Sequence, residues 1–375
     1  MKSPIRSLVL LAVTLVAAVA TATPARAETG DDGAGHSVFV QTNDPAGNSI
    51  DVFHRNADGT LTFAAAYPTG GLGGRAAGAG SDPLATQGSL VLVRERGILL
   101  AVNAGSSSVS VFRVDGDRLT LAQVVSSAGP FPTAIAVHGD LAYVLDAGGD
   151  GFVSGYRIDD GRLKPIGGST RALGLGNATP PFFLKSPAQV GFTPEGDHLI
   201  VTTKTNGTVE VFSLGEDGLP SAAPVKNAEG PVPFAWVFDH AGRIVLNFAG
   251  TSSLQTFTVN ADNTLTPVSS AVSDTRAALC WVTKAQGYVY ASNTGSGDVS
   301  QFRIAADGNV VLVQAIAASG IPGAIDSGAA GGFLYVQSGA SSTVHVFRIG
   351  AGGALSPIQT VNVPDGGSQE GIAVS

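Results

Sequence analysis

The chain ends Gln369-Glu370-Gly371-Ile372-Ala373-Val374-Ser375, and these residues read as a strand with no hairpin partner after them. Strands of the same kind open repeated units earlier, at Thr133–His138, Ala188–Thr193, Phe234–Asp239 and Ala278–Lys284. The first unit lacks one and begins directly at Ser37–Thr42. A final strand that the first repeat is missing predicts a ring closed by its own ends, with Gln369–Val374 as the innermost strand of the first blade.

The repeat itself is strand, Gly/Ser/Asn-rich turn, strand ending in an aromatic, Asp/Gly turn, strand. Its aromatics are Phe53, Phe112, Tyr156, Phe212, Phe257, Phe302 and Phe347, spaced 59, 44, 56, 45, 45 and 45 residues apart. A period in the forties built wholly of strands is a propeller signature. In the second unit Val109–Val114 is rich in β-branched residues, and Asp115-Gly116-Asp117 supplies the next turn. Strands such as Val109–Phe112 are apolar on both alternating sets, as expected where blades pack face to face. Burying each repeat aromatic is worth roughly 2–3 kcal/mol. Six innermost strands are expected inside the chain: the four above, Ser89–Arg94, and Gly323–Ser327. With the terminal strand they make seven, so the fold class is all-β, a seven-bladed propeller. Two β-sandwiches would leave the even period unexplained. A WD-type repeat lacks its Trp-Asp pair, since Trp236 and Trp281 both fall in innermost strands.

Residues 1–27 read as a secretory signal: Lys2 and Arg6, the apolar run Leu8–Ala22, then Ala25-Arg26-Ala27 before Glu28. The run is short of the roughly 20 residues of a spanning helix. The expected organisation is a leader, 1–27, and one propeller domain, 28–375. The mature chain carries 18 Lys+Arg against 29 Asp+Glu, net −11. That balance speaks against nucleic acid and anionic membrane as partners. Export implies a secreted, extracellular protein, expected as a monomer with no membrane span after cleavage. Cys280 is the only cysteine, so no internal disulfide forms, and it reads as a buried apolar residue.

The units Tyr288–Asn293 through Val299–Phe302, and Ser186–Gly196 with its Phe-Thr-Pro-Glu-Gly turn, resemble the bacterial propeller lactonases. That family includes 6-phosphogluconolactonases and carboxymuconate-cyclase-like proteins. The resemblance covers nearly all of residues 37–375. It implies a lactone hydrolase or a cycloisomerase acting at the channel mouth, with acid–base groups on the fourth and fifth blades. The family's His-x-His falls here on Ser186-Pro187-Ala188, its Asp-Arg-type pair on Gly207-Thr208, its Gly-Pro-Arg-His on Gly230-Pro231-Val232-Pro233, and its Asn-Glu on Asn247-Phe248. None of these can serve as acid, base or oxyanion partner, so the expectation is a divergent member. It either binds a small polar or sugar-acid ligand, or an extracellular or cell-envelope partner, or keeps an altered chemistry.

The residues ending the second strands on the expected ligand face are Asn43, Asn103, Asp146, Lys204, Asn247, Asn293 and Ser338, with Lys185, Arg276 and Glu370 on the loops above. Such a ring suits a hydroxylated or carboxylated ligand, although Asn at these positions also caps tight turns. Glu370 is the candidate general base, with Arg276 and Lys204 as anion-binding partners. No His pair has metal-ligand spacing, and no cofactor motif is present. Two long connections, Ala66–Gln87 and Lys164–Pro187, lie on the same face, and long loops of this kind often carry function.

Overall fold

The computed structural model describes Met1 and residues 36–375. The expected leader and its cleavage site lie outside the described residues. Within them, seven antiparallel sheets of four or five strands follow one another along the chain. Their innermost strands are Leu90–Val93, Pro132–His138, Pro187–Phe192, Pro233–Phe238, Leu279–Ala285, Ala324–Ala330 and Ile372–Val374. These strands pack side by side in ring order around a central channel, the last against the first.

Closure follows the expected route. The first blade runs, from outside inwards, Leu61–Pro68, Ser49–Arg55, Ser37–Gln41 and Ile372–Val374. The register pairs Val38 with Val374, Phe39 with Ala373 and Val40 with Ile372. The regular strand is shorter than the expected Gln369–Val374 because Gly371 takes φ +104° and turns the backbone. Even so, Gln41 donates to Gly371 at 3.0 Å and Glu370 to Gln41 at 3.2 Å, so the ladder extends past that turn. No open inner edge remains in this blade.

All seven repeat aromatics are buried, the most exposed being Phe347 at 3%. They fill the wedges between blades. Phe302 packs with Phe234 and Val245 of the preceding blade, and Tyr156 with Val109 and Val111 of the blade before its own. The wedge-shaped spaces between twisted sheets call for large flat side chains, which explains one aromatic per repeat.

Candidate functional site

The two long connections meet over one end of the channel. Ala77 donates to Pro181 at 2.8 Å, and Phe183 donates back to Ala77 at 3.1 Å. The second connection is held in shape by Asn177, whose Oδ1 accepts the N–H of Phe182 at 2.9 Å. Arg75 fastens the first to the approach of the terminal strand, reaching the carbonyl of Gly80 at 2.6 Å and Oγ of Ser368 at 3.2 Å.

Between these fastenings the segment Asp82–Gln87 dips into the mouth, where blades 1, 4 and 6 hold it. Glu370 of blade 1 accepts the N–H of Leu84 at 2.5 Å and that of Thr86 at 3.1 Å. Lys204 of blade 4 donates from Nζ to the carbonyls of Ala85 at 2.6 Å and Pro187 at 3.0 Å. Thr86 donates from its hydroxyl to Ala188 at 2.6 Å, and Trp281 of blade 6 donates from its indole to Thr86 at 2.9 Å. Ala85 sits at φ +56°, a left-handed conformation that costs a side chain about 1 kcal/mol or more, and these anchors hold it there. Leu84 and Ala85 are fully buried. Phe234 and Trp281 pack edge-to-face beside them, centroids 5.0 Å apart.

A compact charge cluster lies under this loop. Burial pushes Glu370 well above the usual carboxylate range, and the adjacent Asp82 carboxylate pushes it further. Burial raises Asp82 to about 6, opposed by its hydrogen bond to Glu370 and by the Lys204 charge. Lys204 is drawn down to about 8 by burial, with Asp82 and Glu370 pulling the other way. Two neighbouring buried carboxyls cannot both ionise cheaply, so near neutral pH the pair holds a proton beside one ammonium. Cys280 faces the same cluster, and burial pushes its thiol up to about 12.

The structure thus brings together Glu370 and Lys204 from the expected site, and it adds Asp82, Thr86 and Trp281. Arg276 is held elsewhere, at the rim of blade 6. Its Nε donates to Oδ2 of Asp298 at 2.9 Å, while Oδ1 of Asp298 accepts from Asn293 at 2.9 Å. The expected polar ring is buried, and all of its members except Asp146 make hydrogen bonds within the protein. Asn43 exchanges two hydrogen bonds with Gly74, at 2.7 and 3.0 Å. Asn103 accepts from Asn48 at 2.9 Å and Thr69 at 2.7 Å, and donates to Ser110 at 2.8 Å. Asn293 repeats that donation to Ser300 at 2.8 Å. Asn247 faces the other way, because its strand ends one residue later, at Phe248. It accepts from Ala235 at 2.6 Å and donates to Leu279 and Cys280 at 2.8 Å, stitching blade 5 to blade 6. Ser338 donates to Pro322, and Lys185 is exposed on the short turn Phe183–Lys185. Asp146 occupies in blade 3 the place of Asn103 in blade 2, fully buried, and burial pushes its carboxyl up to about 8. Among the described residues no group of three or more His, Cys, Asp or Glu is placed to hold a metal.

A closed ring of seven blades, each of four or five strands, with loops gathered over one mouth defines the propeller class. The family model "Lactonase, 7-bladed beta-propeller" matches residues 90–368, and the chain belongs to that family. No curated protein sequence matches it. Among solved structures, the periplasmic gluconolactonase of Pseudomonas aeruginosa superposes with a TM-score of 0.70 at 17% identity, covering 90% of this chain and 98% of that one. A candidate 6-phosphogluconolactonase of Bacteroides uniformis gives 0.69 at 17% identity, over 91% and 100% of the two chains. The virginiamycin B lyase of Staphylococcus aureus gives 0.52 at 9% identity, over 75% and 86%. At these identities the likeness is one of fold.

Proposed function

We propose that this chain is a divergent, exported member of the lactonase family that binds a small polar or acidic ligand, or an extracellular or cell-envelope partner, and does not hydrolyse lactones at the loop-covered mouth. One observation carries the reading. Both oxygens of Glu370, and the Nζ of Lys204, are occupied by the backbone of Leu84–Thr86. A general base needs its lone pair within reach of substrate, and this carboxylate is wholly buried under the chain's own loop. The positions where the family carries its His and Arg groups hold Ser186, Ala188, Thr208, Val232 and Pro233 instead. Export rests on the leader-like residues 1–27, and the acidic balance of the remainder keeps nucleic acid from being its partner.

A second reading has its own support. Asp82 and Glu370 form a proton-sharing carboxyl pair beside an ammonium of lowered basicity, and such constellations recur at catalytic sites. On that reading the loop lifts and the pair performs acid–base chemistry on a lactone or a related sugar acid. Assay of a lactone panel, with Glu370→Gln and Lys204→Met beside the wild type, separates the two. Turnover that vanishes in both variants overturns the binding reading. Absence of turnover, together with ligands that raise the melting temperature, overturns the hydrolase.

A further inference from the structure

The loop-covered mouth leaves the channel blind, and its other end is open. A cavity of about 610 Å³ lies there, walled by the inner strands of blades 3 to 6, with Gln87 the one lining residue from the crossing segment. The size falls within the roughly 300–1,000 Å³ of small-molecule sites. Its walls are mainly apolar, with Phe192, Trp236 and Phe238 the large side chains. Trp236 can stand between blades because Gly191 faces it: a Cβ there would lie 2.3 Å from the indole. The strand edges that face the channel are already satisfied from within. The Gln189 amide bonds both the N–H and the carbonyl of Trp236, at 2.8 and 3.1 Å, and Gln87 accepts from Val282 at 3.1 Å.

Charge on the cavity lining has one sign. The lining holds no carboxylate, and its ionisable groups are Lys284 of blade 6 and His138 of blade 3. His138 is tied to the Pro194 carbonyl at 3.2 Å. Lys284 is exposed and makes one hydrogen bond, to the Phe238 carbonyl at 2.6 Å, leaving two N–H groups free to point elsewhere. The nearby Asp239 does not neutralise it, being buried and paired with Arg243 at 2.7 Å. A free ammonium on a lining without carboxylates offers an anion a partner at that mouth.

We propose that this open end is a binding site for a small organic anion with an apolar, ring-sized body, its carboxylate held by Lys284 and its body lying among Phe192, Trp236 and Phe238. The proposal deepens the binding reading given above and rests on it. The test is calorimetric titration of the full chain with benzoate and phenylacetate, beside benzamide and benzylamine as neutral and cationic counterparts. The proteins compared are wild type, Lys284→Gln, Val237→Phe, which narrows the cavity, and Glu370→Gln at the other mouth. The expected result is that the carboxylates bind in preference to the amide and the amine. Lys284→Gln should weaken them roughly three- to tenfold without moving the melting temperature, Val237→Phe should weaken all probes, and Glu370→Gln should leave binding intact. The proposal falls if no carboxylate binds at millimolar concentration, if Lys284→Gln binds as the wild type does, or if only Glu370→Gln abolishes binding. Carboxylate binding that is unchanged in both Lys284→Gln and Val237→Phe removes this site while sparing the binding reading. Lactone turnover lost in Glu370→Gln does the reverse.

Discussion

Lys204 and Ala85 are joined by a hydrogen bond of 2.6 Å between a buried ammonium and a backbone carbonyl, and that bond fixes which end of the channel is shut. With Glu370 gripping the peptide on either side of the same residue, the loop is anchored from two blades. Replacing Lys204 by Met should leave the Ala85 and Pro187 carbonyls without a donor and strip the carboxyl pair of its counter-charge. A loss of about 2–4 kcal/mol is expected, measured by thermal or urea unfolding. Glu370→Gln keeps one acceptor oxygen and should cost less. Equal melting temperatures for Lys204→Met and wild type would show that the loop does not depend on this anchor.

Stability should fall as pH rises from about 4 to 8. Asp146 stands at about 8, Asp51 and Asp326 at about 7 and Asp82 at about 6, all pushed up chiefly by burial. Each is raised above its unfolded value, so its contribution is complete below pH 4 and is lost as pH passes its folded value. Lys204, drawn down to about 8, acts in the opposite sense, but only between about 8 and 10.5. Melting temperatures across pH 4–8 should therefore decline. A flat profile would mean that these carboxyls ionise without penalty.

Asp146→Asn isolates the largest of these effects. The corresponding residues of blades 2 and 6 are already Asn103 and Asn293, so the amide fits the site's geometry. At pH 7 the buried acid costs on the order of 4 kcal/mol to keep protonated. The variant should melt higher than wild type at pH 8 and match it at pH 4. A variant less stable at both values would mean that the carboxyl has a partner an amide cannot replace.

Cys280 is only half-buried, but its thiol, raised to about 12, should make it slow to alkylate in the native state. Iodoacetamide labelling followed by mass spectrometry should be much slower for the folded than for the unfolded protein. Rapid labelling of the folded protein would mean that the thiol is not held protonated.

Arg276→Ala should lower stability modestly, because it strips a cation from the buried Asp298. Benzoate binding at the opposite end should be unaffected. Impaired binding would place Arg276 in the ligand's path.

The fold was legible in the sequence because a propeller writes itself as a period. One aromatic per blade, an Asp/Gly turn after it and an unpartnered last strand suffice to number the blades and close the ring. The mouth was less legible. Lys204 and Glu370 could be brought to one end from strand ends alone, but nothing local in Asp82-Pro83-Leu84-Ala85-Thr86-Gln87 shows that this stretch folds back between them. That contact is set by three blades distant in sequence. Asn247 shows the sensitivity of such readings to register. Its strand runs one residue further than expected, so its side chain turns from the ligand face to the neighbouring blade. The amides at 43, 103 and 293 proved to be fastenings within the protein, as Asn in a tight turn often is.

The pairing of Ile372–Val374 with Val38–Val40 also sets an order of events. As the chain is synthesised, the first blade waits with three strands while the next six take shape, and the peptide that stops the channel has no Glu370 to hold it. The final residues then complete a sheet begun more than three hundred positions earlier. Closing the ring and sealing its mouth are therefore coupled, because both wait for the segment that carries Glu370 and Ile372–Val374.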